Sequence, residues 1–110
     1  MSETIVIFRK DEMGDCFSLF PELPSDEFGR FCSAYQHVSQ HCAADYYGCI
    51  AQSDPASPAE YADLFTELER RGYILSVRRR ATPDMHEHRR RTAAEWRGAA
   101  MEEQLASVAR

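Results

Sequence analysis

Ser57-Pro58-Ala59-Glu60-Tyr61-Ala62-Asp63-Leu64-Phe65-Thr66-Glu67-Leu68-Glu69-Arg70-Arg71-Gly72 carries a full set of helix signals. Ser57 and Glu60 form a capping box, each able to bind the other's orphan amide, and Pro58 occupies the first helical position. Tyr61, Leu64, Phe65 and Leu68 recur at i, i+3, i+4 and i+7, one apolar stripe that needs a surface to cover. Arg70 and Arg71 sit where the helix dipole favours cations, and Gly72 ends the helix.

The surface for that stripe lies on both sides of it. Thr4 to Lys10 (TIVIFRK) is β-branched and one strand long. The turn Asp11–Asp15 follows, with Gly14 free to take positive φ, and Cys16 to Phe20 resumes as the second arm of a hairpin. Pro21, Pro24 and Ser25-Asp26-Glu27 interrupt it. Arg30 to Gln36 reads as a third strand, with Phe31, Ser33 and Tyr35 on one face and Cys32 and Ala34 on the other. Tyr46 to Gln52 reads as a fourth, Tyr46 and Ile50 opposing Tyr47 and Cys49, with Gly48 marking a bulge. Tyr73 to Arg79 alternates as a fifth.

Thr82-Pro83-Asp84 repeats the cap-plus-proline start and opens a second helix. Its thin apolar face is Met85, Thr92, Trp96 and Ala99, with Trp96 as the docking anchor. The expected order is β-β-β-β-α-β-α. The fold class is α+β, a mainly antiparallel sheet of about five strands with the helices on one face. Residues 1–99 form a single domain, and residues 100–110 form a helix end that frays.

At 110 residues, 44% hydrophobic and 28% charged, the chain has enough apolar side chains for one core. The longest apolar run, Ile5 to Phe8, is far from a membrane span, and Glu3 ahead of the first strand argues against a leader. A cytoplasmic location is the expectation, with no membrane partner. Cys16, Cys32, Cys42 and Cys49 are irregularly spaced and read as reduced, buried or half-buried thiols.

The net charge of −5 hides a split. Residues 1–67 carry twelve acids against three cations, and residues 68–110 carry ten arginines against six acids. Two candidate protein-binding patches follow, an acidic one of Asp11, Glu12, Asp15, Asp26 and Glu27 and a basic one of Arg78, Arg79, Arg80, Arg89, Arg90 and Arg91. Against them stands the plainer reading of a solvated helix partly paired with an acidic half that serves solubility. Net acidity and the lack of an aromatic platform weigh against nucleic acid, as does the way three consecutive helical arginines diverge.

Tyr35, His37, Gln40, His41, Asp45 and Tyr46 crowd one turn between strands. His37, His41, Asp45 and Tyr46 are candidate catalytic groups, because imidazole beside carboxylate does acid–base work near neutral pH. His37 and His41 with Asp45 or Cys42 are candidate metal ligands, although the His-x-x-x-His spacing suits a helix better than a strand and loop. The plainer reading is that these polar groups satisfy one another and the nearby backbone. Adjacent residues on an extended chain point apart, so His41 is badly placed to activate Cys42. No phosphate loop, nucleophile elbow or calcium loop is present.

The stretches Thr4 to Pro24, Ser33 to His41, Asp45-Tyr46 and Glu60 to Leu64 resemble small uncharacterised bacterial proteins carried on plasmids and integrated phages. That resemblance brings no assigned activity and transfers no functional residue. It implies that binding and blocking a host protein, defence machinery included, is a reasonable role, as for anti-CRISPR proteins. The expected function is therefore a non-catalytic protein–protein interaction module without a cofactor. A small enzyme or metal-binding protein using the His37/His41/Asp45 turn is the alternative, and a weak nucleic-acid binder the second. A thin second-helix face also leaves a homodimer open, burying Trp96 against a second copy.

Overall fold

The computed structural model describes residues 3–36 and 40–108, and the backbone but not the side chains of Gln40 and His41. The strands are β1 (Thr4–Lys10), β2 (Cys16–Pro24), β3 (Cys32–Gln36), β4 (Gln40–Ala44), β5 (Asp54–Pro55) and β6 (Leu75–Val77). The helices are α1 (Tyr46–Ala51), α2 (Pro58–Arg70) and α3 (Pro83–Val108). The expected α+β class holds. The sheet runs β4-β3-β2-β1-β5, all antiparallel, and β6 pairs in parallel with the first half of β1.

The hairpin forms as read. Lys10 faces Cys16 and Ile7 faces Leu19, while Asp11 Oδ1 accepts from the amides of Met13 and Asp15 to close the turn over Gly14. Pleating then sends alternate residues to opposite faces. Ile7, Phe17, Leu19, Cys32 and Ala34 make one core with Ala44 and Tyr46. Val6, Phe8, Phe20 and Tyr35 make the other with Leu64 and Leu68 of α2. The alternation expected for Tyr35 against Cys32 and Ala34 is what separates these cores.

The helices therefore cover two faces of the sheet rather than one, α2 on the Val6/Phe8 side and α1 on the Ile7/Leu19 side. The capping box is complete: Ser57 Oγ accepts from the Glu60 amide at 3.3 Å, and Glu60 Oε1 accepts from the Ser57 amide at 3.0 Å. Lys10 Nζ sits 2.6 Å from Glu60 Oε2 and ties the cap to β1. Hydrogen bonds from Lys10 and Ser57 hold the Glu60 carboxyl down to about 2.

Residues 46–51 are helical, not the fourth strand expected. Tyr46 and Ile50 share a face under either a period of two or an i, i+4 helix. Cys49, at i+3, joins them against the core and settles the period. The fourth strand is instead β4, within the stretch read as loop, with Tyr35 facing His41 and Ala34 facing Cys42. Arg9, 7% exposed, holds the end of α1 by donating to Ser53 Oγ at 2.9 Å and to the carbonyls of Ile50 and Ser53.

Candidate functional site

Of the site expected at the β3–β4 turn, Asp45 and Tyr46 are among the described residues. His37 lies outside the described residues, as does the His41 side chain. Among the described residues no group of three or more His, Cys, Asp or Glu is placed to share a metal ion. Asp45 is the N-cap of α1 without a side-chain cap bond, and its Oδ2 lies over Gly48, where a β-carbon would come within 2.9 Å. Tyr46 is buried, and its hydroxyl accepts from the Ala81 amide at 2.7 Å. That bond fixes the link between β6 and α3.

Asp45 and Tyr46 meet a histidine the sequence reading passed over. His86, in the first turns of α3, is 5% exposed, with the Tyr46 ring 4.8 Å away edge-on and the Tyr47 ring 5.2 Å away. Its Nδ1 is 2.7 Å from an Arg89 NH, and its Nε2 is buried with no hydrogen-bond partner among the described residues. Burial, then the charges of Arg89 and Arg90, pushes the imidazole below its usual value. Arg30, Asp45, Tyr47, His86, Arg89 and Arg90 border a cavity of about 350 Å³ here.

Arg89 is a structural residue, contrary to its assignment to a partner-binding patch. It is 4% exposed and donates to Gly29 O at 2.8 Å, Pro21 O at 2.7 Å and His86. The β2–β3 register slips between Phe20 and Pro24, and within that slip the Pro21 carbonyl turns to Arg89. Gly29 makes the approach possible. Its φ is +73°, and a β-carbon there would fall 3.1 Å from Ala93 Cβ, Arg89 O and Arg90 Cα. No apolar pattern reveals this anchor, because its central member is an arginine. A glycine in an acidic loop was the one available signal.

Trp96 is consequently not the anchor. It is 56% exposed, and the buried residues of α3 are Met85, His86, Arg89 and Ala93. Past Arg97, which donates to Glu27 O at 2.6 Å and covers the Phe28 ring, the helix runs on to Val108. Those last eleven residues span about 17 Å. Met101, Leu105 and Val108 are 64%, 64% and 80% exposed and recur at i, i+4 and i+7, one stripe. Trp96, Ala100 and Met101 form an open groove of about 550 Å³ with Asp26 and Glu27 on its lip.

The charged patches are each divided. Asp11, Glu12 and Asp15 lie at the β1–β2 turn, and Asp26 and Glu27 at the other end of β2, roughly 30 Å of strand away. Burial works to raise the Asp26 carboxyl, but the amides of Phe31, Arg30 and Phe28 outweigh it and hold it below its ordinary value. Arg78 and Arg79 border a separate cavity beside Pro58 and Tyr61, while Arg80, Arg90 and Arg91 are exposed. All four cysteines are free. Burial pushes Cys32 up to about 11, whereas Cys42 is exposed, against the expectation of a buried thiol.

No helix among the described residues is long and apolar enough to cross a membrane. No protein-family model, curated protein or solved structure matches the chain.

Proposed function

We propose that the chain is a non-catalytic protein-binding module of the mobile-element kind it resembles, acting by occupying a surface of a host or defence complex. The carrying observation is the groove along the free part of α3, lined by Trp96, Ala100 and Met101, with Asp26 and Glu27 on one side and Arg97 beside them. Exposed Trp and Met are the side chains interfaces favour, because they bury large area on association. The acidic lip selects a partner whose apolar anchor is flanked by Lys or Arg. His37 and the His41 side chain play no part in this reading.

Recovery of bound protein from a bacterial lysate, followed by affinity measurement on the purified pair, tests it. Trp96→Ser with Met101→Ser should weaken the complex at least tenfold at unchanged melting temperature, and Glu27→Lys should slow association. Equal affinity in all variants would remove the groove from the interface.

A further inference from the structure

The cavity between α1 and α3 carries a different inference, independent of the docking groove. We propose that it is a binding site for a phosphate-type oxyanion. Three observations converge on that chemistry. The first is the unmet donor. Guanidinium N–H groups only donate, so the His86 Nδ1 that meets Arg89 presents its lone pair, and neutral His86 carries its proton on Nε2. That N–H is buried and has no acceptor among the described residues. Buried donors are nearly always satisfied, and one that is not calls for an explanation.

The second observation is charge. Arg30, Arg89 and Arg90 border the cavity against a single acid, Asp45. Arg89 is almost wholly buried, and its hydrogen-bond partners are two carbonyls and an imidazole, with the Asp26 carboxylate acting on it only through space. Arg30 and Arg90 are exposed at the cavity edge, Arg30 with its guanidinium over the Phe28 ring. Asp45 packs its carboxylate over Gly48. A cation would meet three guanidiniums and an imidazole with no lone pair left on Nε2. An apolar ligand would leave Nε2 unmet.

The third is room. About 350 Å³ stands at the small end of ligand cavities, enough for a phosphate with a small substituent. Arginine's planar fork suits oxyanion geometry. The Tyr47 ring, 68% exposed, lies 5.2 Å from that of His86. A ligand therefore meets the exposed Arg30 and Arg90 first and, deeper, accepts a hydrogen bond from the His86 Nε2–H beside the Tyr47 ring.

Histidine-detected NMR during titration with inorganic phosphate, at constant ionic strength set with sodium chloride, reads the site directly. The His86 Nε2 resonance should shift and saturate. Arg90→Gln and Arg30→Gln, both at exposed positions, should each weaken binding roughly tenfold, and Asp45→Asn should tighten it. A parallel titration with methyl phosphate separates sources: tighter binding than phosphate identifies a phosphomonoester ligand, and equal or weaker binding identifies the free ion. No saturable shift at His86 with either probe, or the same affinity in Arg90→Gln as in the parent, overturns the proposal.

Discussion

The two halves of α3 are built from similar residues, yet only one is held. From Pro83 to Ala93 the helix buries Met85, His86, Arg89 and Ala93, with Arg89 and Ala93 against β2 and the loop after it and His86 against Tyr46 and Tyr47 of α1. From Ala94 to Val108 no described side chain is fully buried and Arg97 alone is shown reaching back, to Glu27 O and Phe28, although Trp96, Met101, Leu105 and Val108 are the more apolar set. Apolar content thus does not decide which half docks. A partner surface shaped for the helix does: Gly29 brings its backbone against Arg89–Ala93, and the Pro21 and Gly29 carbonyls await a guanidinium. The free half has apolar side chains that no other described residue buries.

Breaking the anchor should give the largest effect. Arg89→Ala leaves two carbonyls and the His86 Nδ1 without their donor, at a cost of about 3 kcal/mol or more by urea unfolding. Gly29→Ala strains a positive φ and crowds helix backbone at 3.1 Å, a loss of about 2 kcal/mol. A loss under about 0.5 kcal/mol in both would mean that the loop does not hold the helix.

Acid should loosen the same half. Tyr46, Tyr47, Arg89 and Arg90 surround or face His86, and the folded imidazole protonates less readily than the unfolded one. The unfolded chain then takes up the proton first. Stability conferred by neutral His86 is complete above the unfolded value near 6.5 and declines as pH falls from there toward the lower folded value. His86→Phe should flatten melting temperature against pH across that window. An unchanged slope would place the charge elsewhere.

The smallest stability effect belongs to the free half. Leu105→Ser should change unfolding free energy by no more than about 0.5 kcal/mol, since the side chain touches no core. A larger loss would show that the end of α3 is already packed, as against a second copy.

What could be read from the chain follows the same division. The capping box and stripe of α2, the β1–β2 hairpin and the Tyr35 alternation are local patterns, and they appear where expected. Helix α1 failed because Tyr46 and Ile50 fit both periods, and β5 is too short, at two residues, to leave a pattern. The His86–Arg89 anchor failed for a deeper reason. A buried arginine satisfied by the carbonyls of Gly29 and Pro21, sixty and more residues away, looks, in sequence, like one more surface cation. Asp45 and Tyr46 line a cavity with His86, a histidine forty residues further along that no local pattern joins to them.

Hydrogen exchange along α3 in the free protein, at two concentrations, tests the division most directly. Amides from about His86 to Ala93 should exchange only with global unfolding, and those beyond Arg97 should exchange far faster at both concentrations. Uniform protection to the end of the helix would contradict a free docking half.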